Sequence, residues 1–190
     1  EIATTDGYNE FSVRPIRQAD IMYKSTLWMK MDLREKINEH FIASNHNIDE
    51  QYVDLLVGGG FLDEEIVHGT NTDYINLIGY VESNDMNDDI VENAIENWVD
   101  IESFLSYFAF QIFIDNRDWP GNNIKFWRDN RTNGKWRWIL YDTDFGFGLR
   151  KGNGADENTL LRFKFNKLNI FVAVFFKLNR RRSLAELGCY

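Results

Sequence analysis

Acidic and amide side chains gather in two short segments whose residue types could carry phosphoryl-transfer chemistry. The segments read IDNRDWPGNNIKFW, residues 114–127, and YDTDFGFG, residues 141–148. Transfer of a phosphoryl group to a hydroxyl needs an acid that accepts the hydroxyl proton, and an amide and a second acid that hold Mg²⁺ against the nucleotide phosphates. Oxygen ligands suit this cation. The candidates for these roles are Asp118, Asn122, Asn123, Asp142 and Asp144.

The spacing between Asp118 and Asn123 matches the Asp-x-x-x-x-Asn of the protein-kinase catalytic loop, in which a strand pair and a metal-binding acid follow. Glycines in both segments allow tight turns and close approach of the backbone. Other interpretations stay open from the residues alone. Asp118 and Asn122 could be turn residues that bond their own backbone. Asp142 and Asp144 could mark a solvated strand end or a structural calcium site.

A predicted β-hairpin brings the two segments together. IKFWRD and KWRWILYD are rich in β-branched and aromatic residues and are separated by NRTNG, which is a hairpin signal. With a four-residue loop, paired residue numbers sum to 265 and Asn123 faces Asp142. With a two-residue turn they sum to 267 and Asn123 faces Asp144. Either register places an amide beside a carboxylate at the open end of the hairpin.

Three tryptophans lie on or beside the same strands, namely Trp127, Trp136 and Trp138. We predict that they pack in the core or form cross-strand pairs. A carbohydrate-binding platform is the alternative for these rings.

Helical periodicity predicts a first helix over residues 32–45, in which Leu33, Ile37 and Phe41 recur at spacings of four on one side. The segment VDLLVGGG then predicts a short strand or a helix end broken by three glycines. VGGGF, residues 57–61, lacks the G-x-G-x-x-G spacing of a phosphate-covering loop and is interpreted as a turn.

Three further helices are predicted downstream. Two cover residues 73–82 and 87–98. The inward residues of the second are predicted to be Ile90, Ala94, Ile95 and Trp98. Asp100 is a candidate N-cap for DIESFLSYFAFQIFI, which is apolar nearly all round. We therefore expect this last helix to be central in the fold.

The composition of the chain limits the classes of protein to which it can belong. With 190 residues, of which 44% are hydrophobic and 15% aromatic, the chain is long enough for one domain with a core rich in rings. A net charge of -9 argues against a general nucleic-acid binder, because phosphates attract clustered Lys and Arg. The apolar block at residues 170–176 is far shorter than the ~20 residues of a membrane span. The histidines show no metal-ligand spacing and are interpreted as ordinary surface or capping residues: His40, His46 and His68.

Several of these motifs together resemble the spore coat protein H (CotH) kinase-like family. They are DLREKINEHFIASN, NRDWPGNNIKFWR and GKWRWILYDTDFGFG, in this order, within a resemblance that runs from about Met31 to about Phe163. The resemblance implies an atypical kinase with a reduced protein-kinase-like fold. The implied class is α+β, with a mostly helical C-lobe, a small antiparallel β-hairpin that carries the site, and most of the N-lobe absent.

The resemblance also implies roles for individual residues. Asp118 matches the catalytic-loop Asp, Asn123 the metal-binding Asn, and Asp142 the metal-binding Asp of the activation segment. Asp144 matches the second acid of the family's Asp-x-Asp-x-x-Phe-Gly pattern and is expected to assist as a metal ligand. The residues predicted to bind the cofactor are Asn122, Glu35 and Lys36. The implied cofactors are ATP and Mg²⁺, with Mn²⁺ as a substitute.

The implied reaction is transfer to a Ser or Thr hydroxyl of a protein substrate, such as a coat or surface protein, at the bacterial spore coat or the cell exterior. A kinase also needs a Lys that reaches the phosphates from an N-terminal β-lobe. Lys24 and Lys30 have no evident strand context. A non-catalytic pseudokinase, adhesin or scaffold module therefore remains the alternative. A calcium-stabilised carbohydrate-binding domain is a third interpretation.

These patterns divide the chain into three regions. Residues 1–30 are interpreted as a remnant of the N-lobe or sequence of uncertain origin, residues 31–163 as the kinase-like C-lobe, and residues 164–190 as a basic, Phe-rich tail. Residues 151–190 hold eight Lys or Arg against three Asp or Glu, whereas the rest of the chain is acidic.

Overall fold

The computed structural model describes residues 16–58, 65–85, 88–131 and 133–149. Six strands and four α-helices lie within these ranges, so the predicted α+β class is confirmed, with more strands than the single hairpin that was expected. The 164–190 tail and most of the VGGGF segment lie outside them. The elements are β1 (Ile16–Tyr23), β2 (Thr26–Arg34), α1 (Glu39–His46), β3 (Val53–Gly58), β4 (Glu65–His68), α2 (Thr72–Ser83), α3 (Asp89–Trp98), α4 (Ile101–Phe113), β5 (Ile124–Asp129) and β6 (Arg137–Ile139), with a short 3₁₀ turn over Glu50–Tyr52.

The larger sheet has four antiparallel strands in the order β4-β3-β5-β6. β3 has two neighbours in this sheet, and its residues Val53, Leu55 and Leu56 are fully buried. A strand that is covered on both faces needs a near-continuous apolar run, which VDLLV supplies. The helix end that was the alternative for this segment is therefore wrong.

A core of aromatic rings joins this sheet to helices α2, α3 and α4. Trp138 of β6 packs edge-on against Phe104 of α4, with ring centroids 5.0 Å apart, and stacks on Phe126 of β5 at 5.9 Å. Trp127 and Trp136 are buried as well. The predicted core role of the three tryptophans is confirmed. The carbohydrate platform is wrong, because buried rings cannot stack on a glycan.

The helix predicted over residues 32–45 begins later than predicted. α1 starts behind the N-cap Asn38, whose side chain accepts a hydrogen bond from Phe41 N at 3.1 Å. The first residues of the predicted helix belong to β2, where apolar residues alternate with the strand period of two. Leu33 follows that alternation and is 65% exposed, whereas Ile37 and Phe41 are buried as predicted.

A second, two-stranded sheet pairs β1 with β2 antiparallel. It gives Lys30 the strand context that the sequence did not indicate, opposite Asp20, with Nζ 3.9 Å from the Asp20 carboxylate. Lys24 lies in the connecting turn. One face of this sheet carries apolar side chains that are between 36% and 65% exposed: Met22, Leu27, Met29, Met31 and Leu33.

The remaining helices occur in the predicted order, but one of them buries a different residue from the one predicted. α2 covers the predicted 73–82, and α4 follows the predicted N-cap Asp100, whose side chain accepts from Ser103 N at 3.1 Å. In α3, Ile90 was predicted inward but is 75% exposed, and Val91 is buried instead. Among the described residues, no helix has both the length and the apolar character that a membrane span requires.

Candidate functional site

The loop between α4 and β5 brings the side chains of Asp118 and Asn123 into contact. Asn123 Nδ2 donates to Asp118 Oδ2 at 3.4 Å, which is longer than an ordinary hydrogen bond. Asn122 contributes through its backbone N–H, which donates to the Asp118 carbonyl at 2.8 Å. The loop folds back on itself, so the predicted base and the predicted metal-binding amide lie side by side.

A buried pair of amides joins this loop to α4. Asn116 Nδ2 donates to Gln111 Oε1 at 2.9 Å, and Asn116 Oδ1 accepts from the Asp118 N–H at 3.2 Å. Asn116 and Gln111 are both fully buried. Asn116 therefore bonds the backbone two residues further along the chain. This is the turn role that was the alternative interpretation for Asp118 and Asn122.

Aromatic residues support the loop from the core. Tyr107 Oη donates to the Asn123 carbonyl at 3.4 Å. Burial raises the pKa of Tyr107 well above its ordinary value, so the hydroxyl keeps its proton and stays a donor. Trp119 is buried, and its ring packs edge-on against Phe108 with centroids 5.4 Å apart. Helix α4 thus contacts both halves of the loop.

The YDTDFGFG segment is hydrogen-bonded to the start of the same loop. Arg117 N–H donates to the Phe145 carbonyl at 3.2 Å, and Phe147 N–H donates to the Ile114 carbonyl at 2.5 Å. Gly146 allows this close approach, since a Cβ at that position would lie 3.2 Å from both the side chain and the carbonyl of Ile114. The two polar segments of the sequence are therefore neighbours in the fold, as predicted.

Several residues in these two segments adopt the left-handed backbone conformation, which non-glycine residues rarely do. They are Asp115, Asn123, Asp142 and Phe147, with φ between 50 and 61. Asp and Asn tolerate this conformation better than other side chains, which accounts for three of the four. Backbone strain of this kind clusters at functional sites. The conformation therefore adds weight to these segments as the candidate site.

The register of the hairpin differs from both predictions. Its pairs are Lys125↔Ile139, Phe126↔Trp138 and Trp127↔Arg137, whose residue numbers sum to 264. Continued past the last pair, this register sets Tyr141 opposite Asn123. Asp142 then falls opposite Asn122. The predicted strand pairing of Asn123 with Asp142 or Asp144 is therefore wrong, although backbone hydrogen bonds still hold the two segments together.

The register differs because the backbone of Trp136 forms hydrogen bonds outside the hairpin. Its N–H donates to the Trp98 carbonyl at 2.8 Å, and its carbonyl accepts from the Asp100 N–H at 3.0 Å. These bonds tie the start of β6 to the connection between α3 and α4, so the turn is longer than NRTNG predicts. A change of register by one residue moves side chains to the opposite face. Turn signals alone do not contain this long-range contact.

The remaining predicted site residues lie at the surface. The exposed members are Asp142, Asp144, Glu35 and Lys36. The last two belong to the connection between β2 and α1. The next residue, Ile37, accepts a hydrogen bond at its carbonyl from Lys125 Nζ at 3.2 Å. This contact places the connection beside the start of β5, which follows Asn123 directly.

The described part of the chain contains no group of three or more His, Cys, Asp and Glu side chains that could hold a metal ion. The histidines instead have local partners. His68 Nδ1 lies 2.7 Å from the Val53 carbonyl, and His40 contacts Glu50. These contacts agree with the ordinary roles predicted for the two residues.

A cavity of about 750 Å³ lies at the other end of the hairpin, beside the turn. Its lining includes His46, Trp127 and Arg137. The His46 ring packs against Trp127 with centroids 4.4 Å apart, and burial, helped by the charge of Arg137, lowers the pKa of His46 to about 4. His46 is therefore a neutral packing residue near neutral pH. The cavity does not include the predicted site residues.

Three residues that support the loop were not predicted: Tyr107, Gln111 and Arg117. Gln111 carried a signal, since it is a polar residue inside the apolar run FAFQIFI, and buried polar groups need hydrogen-bond partners. Its partner Asn116 belongs to the quoted loop motif. Their pairing depends on the loop turning back over α4, which local spacing does not determine.

Comparison with known proteins agrees with the resemblance seen in the sequence. The family model described as CotH kinase protein matches residues 32–171. This range includes the loop, the β5–β6 hairpin and the segment that follows it. No curated protein and no solved structure matches the chain.

Proposed function

The chain belongs to the CotH kinase family, and on that premise we propose that it transfers the γ-phosphoryl group of ATP, with Mg²⁺, to a Ser or Thr hydroxyl of a protein. The observation that carries the proposal is the contact of Asp118 Oδ2 with Asn123 Nδ2 at 3.4 Å, at the residue spacing of a kinase catalytic loop. The backbone bonds between this loop and the YDTDFGFG segment support it.

The proposal assigns proton transfer to Asp118. Its Oδ2 is engaged by the Asn123 amide, and we assign Oδ1 to the acceptor hydroxyl. The carboxylate orients that hydroxyl and takes its proton as the oxygen attacks. Positioned general bases of this kind contribute about 10²- to 10⁴-fold to rate. The carboxylate accepts from a neutral amide, and the Asp118 backbone N–H donates to Asn116, so neither of these two contacts brings a positive charge to the carboxylate.

Asn123 and Asp142 are the proposed protein ligands of Mg²⁺, with Asp144 as a second acid. When bound, ATP would supply the phosphoryl group, with ADP as the leaving group, and Mg²⁺ would neutralise the charge that develops during transfer. The donors are all oxygens, and Mg²⁺ commonly takes one or two carboxylates and completes its shell with phosphate oxygens and water. Mn²⁺ accepts the same ligands. We assign contacts with the nucleotide to Asn122, Glu35 and Lys36.

The test separates nucleotide binding from transfer. Millimolar ATP should raise the melting temperature of the wild-type chain only when Mg²⁺ is present, because the ligand binds the folded state. Asp142→Ala should lose this shift. Asp118→Asn should keep the shift but lose about 10²- to 10⁴-fold in transfer of labelled phosphate to a protein acceptor. Glu82→Gln, which changes an exposed acid on α2, should alter neither measurement.

Two results would overturn the proposal. One is transfer by Asp118→Asn at the wild-type rate, which would remove the base. The other is a melting temperature that does not respond to ATP and Mg²⁺ in the wild-type chain.

The acceptor and the location are part of the same proposal. Family membership supports a coat or surface protein as the acceptor and the bacterial spore coat or the cell exterior as the location. Phosphate transfer to isolated coat or surface proteins, compared with transfer to proteins from the cell interior, tests this assignment. Equal transfer to both sets would contradict it.

A second candidate function is a non-catalytic scaffold module. The observation that favours it is the apolar face of the β1–β2 sheet, on which Met22 is 56% exposed and Leu33 65% exposed, since large exposed apolar patches mark interaction sites. A scaffold should keep its binding partner when Asp118 is changed to Asn. It should also show no response to ATP with Mg²⁺.

A further inference from the structure

The amide pair of Asn116 and Gln111 connects the candidate base to the core of the protein. Both side chains are fully buried. Asn116 Nδ2 donates to Gln111 Oε1 at 2.9 Å, and on its other side Asn116 Oδ1 accepts from the Asp118 N–H at 3.2 Å. The chain of bonds therefore runs from helix α4 to the backbone of the residue assigned as base.

The direction of these bonds fixes the orientation of Asn116. A side-chain amide has its donor on one side and its acceptor on the other. The Asp118 N–H can only donate and Gln111 Oε1 can only accept, so together they hold the oxygen of Asn116 toward Asp118 and its NH₂ group toward α4. A reversed Asn116 would set oxygen against oxygen and NH₂ against N–H in a buried place, where unpaired polar groups are costly.

Helix α4 links this anchor to the other half of the loop. Tyr107 lies one helical turn earlier than Gln111 on the same face of α4, and its Oη donates to the Asn123 carbonyl. The two residues of the 3.4 Å side-chain contact, Asp118 and Asn123, are thus each tied by their backbone to the same face of one rigid helix.

We propose that Asn116 is the positioning residue of the Asp118 carboxylate, and that Gln111 sets the orientation of Asn116. This inference rests on the proposed phosphoryl transfer. Asn116 acts through Asp118 and touches neither substrate nor cofactor. Small displacements of a reacting group can lower a rate by about 10²-fold. Loss of the anchor should therefore lower kcat while nucleotide binding, which depends on other residues, is retained.

The experiment uses Asn116→Leu in the full chain, because Leu has the same number of side-chain heavy atoms with the same branching at Cγ and removes the hydrogen bonds to Gln111 and Asp118. We expect kcat for phosphate transfer to fall by about 10- to 100-fold, with KM for ATP changed by less than about twofold. Hydrogen exchange at the Asp118 amide should become at least about tenfold faster, because its acceptor is lost.

Asn116→Asp is the conservative variant, since it keeps an oxygen for the Asp118 N–H and Gln111 can turn its NH₂ group to donate to the new carboxylate. It should recover protection of the Asp118 amide to within about threefold of the wild type. If Asn116→Leu does not fold, the same comparison is made with Gln111→Met, which removes the acceptor for the Asn116 NH₂ group and keeps Asn116 itself.

Ser103→Ala is the matched control on the same helix. Ser103 is 5% exposed and its Oγ accepts from the Trp138 N–H at 3.1 Å, so the substitution removes a buried hydrogen bond that does not reach the loop. It should leave kcat and exchange at Asp118 within about twofold of the wild type. An equal fall of kcat in Ser103→Ala and Asn116→Leu would reduce the effect to general destabilisation and overturn the inference.

The two proposals fail in distinguishable ways. If the wild-type chain transfers no phosphate, the proposed function fails, and unchanged exchange at Asp118 in Asn116→Leu overturns the anchor as well. If exchange accelerates while kcat stays within about twofold of an active wild type, the anchor exists but does not position the base, and the inference is wrong.

Discussion

The acids at the two ends of the β5–β6 hairpin differ in their partners. At the turn end, acids pair with arginines. Arg128 Nε lies 3.0 Å from Asp54, and Arg137 Nε lies 2.9 Å from Asp100. At the open end, the buried Asp115 also pairs with an arginine, Arg117, at 2.7 Å, whereas the Asp118 carboxylate takes its bond from a neutral amide at 3.4 Å. Asp118 therefore differs from these three acids, because they meet a full positive charge and Asp118 meets an uncharged donor.

The difference separates acids that hold the fold from an acid suited to chemistry. Asp54 is 1% exposed, and burial of a carboxylate is costly unless its charge is paired. A carboxylate oxygen that is bonded to a guanidinium is also engaged by that strong donor. Asp118 is only half-buried and has a neutral partner. We infer that the partner of each acid, a guanidinium or a neutral amide, indicates the role of that acid better than its position in the sequence does.

Asp54→Asn should give the largest loss of stability, about 3 kcal/mol, as is found when one partner of a buried ion pair is removed. The loss is at the low end for such changes because Arg128 keeps a second acid, Asp73, at 2.5 Å. Asp118→Asn should change the free energy of unfolding by less than about 0.5 kcal/mol. Urea unfolding of the two variants measures the difference.

The Asp54→Asn substitution removes the charge of the side chain but keeps a hydrogen-bond acceptor. Asp54 Oδ1 accepts from the Thr70 N–H at 2.9 Å, and an asparagine at this position keeps that acceptor. A similar stability of the Asp54→Asn and Asp118→Asn variants would break the distinction between the ion-paired acid at the turn end and Asp118 at the open end.

The parts of the fold that could be predicted are those with a local cause. Asp100 was recognisable as an N-cap because it precedes an apolar run directly, and α4 begins there. The burial of the hairpin tryptophans followed from their size and setting. The start of α1 was missed because Leu33 fits a helical spacing and a strand alternation equally well, and only the pairing of β2 with β1 decides between them.

In the candidate site, residue types could be predicted but not geometry. Asp118 and Asn123 are marked by their spacing, and their contact follows once the loop turns back. The hairpin register could not be predicted, since it is set by Trp136 bonding to the α3–α4 connection far away in the sequence. The link from Gln111 to Asn116 likewise depends on how a loop lies over a helix.

A smaller effect is expected when the pH is lowered, because His46 lies at the turn end of the hairpin and its pKa is shifted. Burial lowers the folded-state pKa of His46 to about 4, below its ordinary value of 6.5. Below pH 6.5 the unfolded chain therefore binds a proton that the folded chain refuses, and stability falls as the pH drops from about 6.5 to about 4. Because the ring is partly exposed, we expect a loss of about 1–2 kcal/mol, less than the full shift implies.

His46→Phe keeps a ring against Trp127 and removes the titrating group. The variant should lose less stability than the wild type between pH 6.5 and about 5, a window above the titration of most carboxylates. His40 and His68 remain in both proteins, so their contributions cancel in the difference. Parallel curves of unfolding free energy against pH for the two proteins would contradict the prediction.

The smallest effect is expected from Asp100, which has two partners at the turn end. One carboxylate oxygen accepts from the Ser103 N–H at 3.1 Å, and the other lies 2.9 Å from Arg137 Nε. Asp100→Ala should cost about 1 kcal/mol, the usual cost of losing an N-cap. Asp100→Asn keeps the cap and loses only the charge. It should cost less than about 0.5 kcal/mol, because the Arg137 side chain is 45% exposed.

Urea unfolding of these two variants sharpens the comparison between the ends of the hairpin. A loss confined to Asp100→Ala means that Asp100 stabilises the turn end by capping α4, and that charge pairing matters there only where it is buried, as at Asp54. An equal loss in both variants would mean that an exposed arginine also stabilises this end through its charge. The difference between ion-paired acids and Asp118, which has a neutral partner, would then hold for exposed ion pairs as well as buried ones.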